Sequence, residues 1–190
     1  MGLPGFARAR ERLYHCRVSA SVEPEAGEQR TVLVLGVGNS MKGDDGVGPR
    51  VAGRLSAVRE ASAGRLEGDG PVRVAALDCG VTPENYTSVV RRLRPALLLI
   101  VDAADMGLAA GECRIIPAER VGALGLSTHS MPLSLFMTYV SDLASRIVLI
   151  GVQPRLMALG TPMSSEVAEA GDRLAALIAQ GRWETLSELD

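Results

Sequence analysis

Thr31-Val-Leu-Val-Leu35 runs directly into Gly36-Val-Gly-Asn-Ser-Met-Lys-Gly-Asp-Asp-Gly-Val-Gly48. The first piece is short, apolar, rich in β-branched residues and closed by glycines, which is how a strand buried on both faces of a parallel sheet reads. Beyond the loop, residues 47–58 read as a helix, with Pro49 in its first turn, where a missing N–H costs nothing.

The same alternation continues down the chain. Residues 72–77 form a second predicted strand, and residues 83–93 a helix again opened by proline. Residues 96–101 are the third and most hydrophobic strand. A short fourth strand, 112–116, follows through a loop too short for a helical crossover, so it reads as an antiparallel neighbour or an edge strand. Residues 132–143 give a helix, 146–152 a fifth strand, and 164–179 an amphipathic helix with Ser164 as its N-cap. Strands alternating with helices define an α/β protein, a three-layer sandwich around a mostly parallel sheet. Ligands of such sheets bind at the C-terminal strand ends, so the loops after strands one, two, three and five matter most.

The composition fits one folded domain. The chain has 190 residues, 47% hydrophobic and 22% charged, which is a globular balance rather than a disordered one. Aromatic residues are scarce, so aliphatic side chains and methionine must fill the core. A formal net charge of −2 argues against nucleic acid as a partner, which would need a basic face. The three cysteines, Cys16, Cys79 and Cys113, are widely spaced and suggest neither a disulfide framework nor a four-thiolate zinc site. No apolar run is long enough to span a bilayer, and the basic N-terminus lacks the apolar stretch of a signal peptide. A cytoplasmic location, away from membranes, is therefore expected. Residues 1–30 have no sustained period and read as a flexible N-terminal extension; the folded domain is expected over 31–190. A monomer is favoured, with the C-terminal helix and Trp183 packing on the sheet or on a second copy.

The glycine-rich loop invites a nucleotide reading, but Met41 stands where G-x-G-x-x-G needs glycine. Lys42 is followed by Gly43 rather than by the Ser or Thr of a P-loop. Asp44 and Asp45 would also repel a phosphate at the helix start. They could instead cap that helix and face its dipole. Asp78, at the tip of strand two in Asp78-Cys79-Gly80, is either a turn former or a residue at the mouth of a site. Asp102 follows six apolar residues, and a carboxylate at the tip of so buried a strand needs compensation. His129, in Thr128-His-Ser-Met-Pro-Leu133, precedes a predicted helix and shares the C-terminal rim with Asp45 and Asp102. One imidazole and two carboxylates make a reasonable open site for zinc, nickel or manganese. There is no G-x-S-x-G and no H-E-x-x-H, and Cys79 has no readable histidine partner.

Taken together these loops resemble the hydrogenase maturation endopeptidases, most closely the hydrogenase-3 type. The matching segments run in order over roughly residues 31–165. They include Gly36-Val-Gly-Asn39, Gly43-Asp-Asp-Gly46, Asp78, Pro83-Glu-Asn85, Leu93-Arg-Pro95 and Leu99-Ile-Val-Asp-Ala-Ala-Asp-Met-Gly107. Gly111-Glu112, Thr128-His-Ser-Met-Pro-Leu133 and Ile150-Gly-Val-Gln-Pro154 follow. The resemblance implies a five-stranded α/β/α sandwich with one antiparallel strand, and a metal-contacting set that falls on Asp45, Asp102 and His129. The first of these is glutamate in some relatives. It further implies an endopeptidase that removes a C-terminal peptide from the nickel-loaded large-subunit precursor of a [NiFe] hydrogenase. The metal would then be nickel carried by the substrate, with other divalent metals open for the isolated protein. Asp78 is the candidate for orienting or deprotonating the attacking water. The competing class is a non-enzymatic nickel-sensing adaptor or chaperone that uses the same three ligands.

Overall fold

The computed structural model describes residues 30–57, 72–122 and 131–190. Five strands form one sheet: β1 Arg30–Val37, β2 Val72–Gly80, β3 Leu97–Ala103, β4 Cys113–Ile116 and β5 Ile147–Val152. Their spatial order is β2-β1-β3-β5-β4. β1 runs parallel to both β2 and β3, β3 runs parallel to β5, and β4 alone is antiparallel. The expected mostly parallel sheet with one antiparallel strand is therefore what forms. The short fourth strand is both antiparallel and at the edge, although its partner is β5 rather than the preceding β3. The reason is steric: β1 and β5 already occupy the two sides of β3, so the chain steps across to the outer side of β5.

Successive strand residues point to opposite faces, and this sorts the core into two layers. Val32 and Val34 of β1 face helices α1 Val47–Ala57 and α5 Ser165–Ala179. They meet Val51 and Leu55 of the first helix and Leu174 and Ile178 of the second. Leu33 and Leu35 face α2 Thr87–Leu93, α3 Ala118–Val121 and α4 Leu133–Tyr139, meeting Val90, Val121 and Phe136. Both layers are aliphatic, as the scarcity of aromatics requires. Burial of one Leu or Phe side chain contributes roughly 1.5–3 kcal/mol before chain entropy is charged against it.

Several boundaries differ from the sequence expectation. The helix expected over 83–93 opens as a 3₁₀ turn, Pro83–Tyr86, before α2 begins. The helix expected over 132–143 stops at Tyr139. Trp183 is buried and packs with the sheet and α5, with the Arg146 guanidinium 4.9 Å from its ring centroid. Past it, the chain returns to the open edge of β4. The Ile115 N–H donates to the Ser187 carbonyl at 3.0 Å, and the Leu189 N–H to the Ile115 carbonyl at 2.9 Å. A short edge strand is thereby covered, which removes a template for pairing with other chains. No helix among the described residues is long and apolar enough to cross a membrane.

The strand order reverses at β1, between β2 and β3, and there α1 comes down hard on the sheet. A Cβ on Gly48 would stand 2.2 Å from the Val37 carbonyl oxygen and 2.5 Å from that of Val101. A Cβ on Gly36 would stand 2.1 Å from the Gly48 carbonyl oxygen. Strand and helix touch backbone to backbone, and this contact brings the β1–α1 loop over the C-terminal ends of β1 and β3.

Candidate functional site

The loop after β1 folds as a 3₁₀ turn, Gly43–Gly46, that places its two aspartates in different environments. Asp44 is fully buried. Its Oδ2 accepts the N–H groups of Arg155 at 2.8 Å and Leu156 at 2.9 Å. Its Oδ1 accepts the N–H of Ser164 at 2.6 Å and the Ser164 hydroxyl at 2.9 Å. Burial alone would raise the Asp44 carboxyl. The N–H groups of Leu156, Ser164 and Arg155 and the Ser164 hydroxyl outweigh it and hold the pKa below the usual aspartate value. Two sequence readings are thereby corrected. Asp44 does not cap its own helix; it ties the turn to the segment after β5. Ser164 stands at the N-cap position of α5, but its hydroxyl goes to Asp44 and makes no cap bond.

Asp45 is buried as well, at 7% exposure, and has a different partner. Its Oδ2 accepts the N–H of Asn39 at 3.0 Å, which closes the loop on itself. Gly38 has φ +132, and a Cβ there would stand 1.8 Å from the Asp45 carbonyl oxygen, so glycine is what lets the loop double back. The Gly38 N–H donates to the Gly80 carbonyl at 2.9 Å and joins this loop to the end of β2.

Asp78 is exposed at that end. Its Oδ1 accepts the Gly80 N–H at 2.9 Å in a local turn, and its carbonyl accepts the Tyr86 hydroxyl at 3.0 Å. Asp78 also lines a cleft of about 220 Å³ with Asn39, Ser40 and Pro49. Asp78 thus forms the turn and also lines the cleft. Cys79 beside it is buried, and burial with the Asp78 charge pushes its thiol up to about 12. That agrees with giving it no nucleophilic role.

Asp102 is completely buried at the tip of β3, paired in register with Gly151 of β5. Asp45 thus sits in the turn that follows β1, and Asp102 near the C-terminal end of β3, the strand paired with β1. His129 lies outside the described residues, as does most of the expected N-terminal extension. Among the described residues no three His, Cys, Asp or Glu side chains gather closely enough to hold a metal ion.

Two contributors escaped the sequence reading. Asn39 supplies the N–H that holds Asp45. Gln153, 6% exposed, organises the loop after β3: its Oε1 accepts the N–H groups of Met106 at 2.7 Å and Leu108 at 3.2 Å. Its Nε2 donates to Asp105 Oδ1 at 3.1 Å. The available signal for Gln153 was an amide at the end of an otherwise apolar strand, the same signal that singled out Asp102.

A sheet with its switch point at β1, with Asp45 in the turn after β1, Asp78 near the end of β2 and Asp102 near the end of β3, sets the frame for comparison with known proteins. The family model "HycI: Hydrogenase maturation protease" matches residues 51–181. Hydrogenase 3 maturation protease of Escherichia coli K12 is 36% identical over 141 residues, covering 74% of this chain and 83% of that protein. A putative hydrogenase maturation protease of Methanocaldococcus jannaschii is 30% identical over 151 residues, covering 76% and 84%. The crystal structure of the [NiFe] hydrogenase maturation protease HycI from Thermococcus kodakarensis superimposes with a TM-score of 0.67 at 33% identity, covering 83% of this chain and 94% of that one. This chain belongs to the HycI family of hydrogenase maturation proteases. It is a peptidase, an endopeptidase of hydrogenase maturation.

Proposed function

We propose that the chain removes the C-terminal peptide from the nickel-loaded large-subunit precursor of a [NiFe] hydrogenase, and that residues 31–190 are the domain that does so. Asp45, Asp102 and His129 converge on the nickel carried by the precursor and so fix the scissile peptide bond. The observation that carries this reading is the pair of buried carboxylates, Asp45 and Asp102, at neighbouring strand ends in a member of this protease family. The donor chemistry suits the role. Asn39 occupies one oxygen of Asp45, and among the described residues no donor takes the other. Carboxylate oxygen and imidazole nitrogen are both ligands that nickel accepts.

Holding the peptide against a fixed centre supplies much of the rate enhancement through positioning. Asp78, at the cleft, orients the attacking water and takes its proton as the oxygen adds to the scissile carbonyl carbon. The proton then passes to the leaving amine as the C–N bond breaks. The metal in this scheme arrives with the substrate, so purified protein should hold no stoichiometric metal after mild chelation. Retained metal would point to a resident ion instead.

The test is a processing assay on the nickel-loaded precursor, followed by mass. Wild-type protein should shorten the precursor only when nickel is present, and His129→Ala should leave the mass unchanged. Shortening of a nickel-free precursor would remove nickel from the mechanism, and shortening by His129→Ala would remove the site.

A further inference from the structure

We infer that Asp44 is a positioning residue for Asp45, acting through a clamp that spans the loop after β1, the segment after β5 and the start of α5. This rests on the proposed role of Asp45.

The clamp is built, not incidental. Asp44 is fully buried and its two oxygens take four donors from Arg155, Leu156 and Ser164. The link is reciprocal, since the Asp44 N–H donates to the Leu156 carbonyl at 3.1 Å. Further along, the Gly160 N–H donates to the Met41 carbonyl at 2.8 Å. Gly43, at φ +62, lies so close that a Cβ would stand 2.6 Å from Thr161 Oγ1. The Met41–Asp44 side of the turn is therefore fastened along its length to the segment that follows β5.

The opposite side of the same turn carries Asp45. Within a 3₁₀ turn, consecutive side chains leave the axis about 120° apart, given three residues per turn. Fixing Asp44 inward therefore fixes the direction in which Asp45 leaves. The Asp45 carboxylate then meets a single N–H, from Asn39, on a half-exposed loop. One such bond does not hold a carboxylate to the tolerance a reacting geometry needs, about half an ångström. Asp44 supplies the stiffness that Asp45 lacks.

The experiment compares wild type, Asp44→Asn, Ser164→Ala and Asp172→Asn, all at a temperature where each is folded by circular dichroism. Asp172→Asn breaks a surface pair between α1 and α5 and serves as the distant control. Two readouts are taken. The first is kcat and KM for processing of the nickel-loaded precursor. Asp44→Asn should lower kcat between about tenfold and a hundredfold, as expected when a reacting group moves by about an ångström, with KM held within about twofold. Ser164→Ala, which removes one of the four donors and keeps the fold if Asp44→Asn does not, should lower kcat by a smaller factor. Asp172→Asn should change neither.

The second readout is hydrogen exchange at the Asn39 amide, which reports the Asp45 contact without any substrate. Its protection should fall in Asp44→Asn, and to a lesser degree in Ser164→Ala, and stay at the wild-type level in Asp172→Asn. If wild-type protein fails to process the precursor, the proposed function fails, and the exchange readout alone decides whether Asp44 holds Asp45. Unchanged Asn39 protection in both clamp variants, or a kcat loss matched by the distant control, would overturn the inference.

Discussion

Asp44 and Asp78 are both acids in loops at the C-terminal rim of the sheet, and they live by opposite rules. Asp44 is buried and takes its donors from residues 111 to 120 positions away. Asp78 is exposed and accepts an N–H only two residues ahead. The first carboxylate is consumed by the fold, because it is fully buried itself and spends both oxygens on donors of Arg155, Leu156 and Ser164. The second belongs to a residue that lines a cleft. Acidity at a strand end therefore does not mark a reactive group; the provenance of its hydrogen bonds does.

The comparison can be broken most forcefully at Asp44. Asp44→Ala should lower the free energy of unfolding by about 1–3 kcal/mol, the range for losing hydrogen bonds to a charged group and leaving their donors unsatisfied. Urea denaturation measures it, and a loss under 1 kcal/mol would mean that water satisfies the clamp. Asp78→Ala should shift unfolding by less than about 1 kcal/mol, a turn-scale effect. Processing should nevertheless fall by roughly a hundredfold or more, if Asp78 handles the proton. Near-normal processing by this variant would return Asp78 to its turn.

A pH series sharpens the contrast further. The folded-state pKa of Asp44 is lowered, so its stabilisation is complete above the unfolded value of about 3.9 and is lost as pH falls through the folded value. Asp172 follows the same sign for another reason. The Arg50 and Arg54 guanidiniums hold it down to about 2, through bonds of 2.8 and 2.9 Å. Its side chain is 38% exposed, so solvent screens most of that benefit. Asp172→Asn should flatten the acid-unfolding curve only slightly between about pH 4 and about 2. Asp44→Asn should flatten it in the same direction, since the lowered Asp44 carboxyl is lost with the substitution. The smallest effect is expected at Cys79, next to Asp78. With the thiol buried and its pKa near 12, iodoacetamide at neutral pH should leave Cys79 unmodified in the native protein, as read by peptide mass.

Much of the fold was legible because parallel strands buried on both faces leave continuous apolar runs. β1, β3 and β5 needed no long-range information to recognise. α3, four residues long, and the return of Ser187 to Leu189 along β4 left no periodic signal, since each spans less than two repeats of its pattern. At the site, residue identities were legible and roles only partly so. Asp102 announced itself by ending an apolar strand, and Asp45 by the loop motif. Asp44 read as a helix cap because its true partners lie across the sheet in a loop with no feature pointing back to it. Ser164 does stand at the N-cap of α5, but the partner of its hydroxyl, Asp44, was equally out of reach of a local reading.

The contact between Gly36 and Gly48 has a consequence in evolutionary time. The nearest atoms to each glycine's missing Cβ are backbone atoms, and backbone cannot mutate out of the way. A first substitution at either position therefore has no second substitution able to rescue it. The pair closes off neutral drift at both positions for a purely steric reason, while taking no part in the reaction.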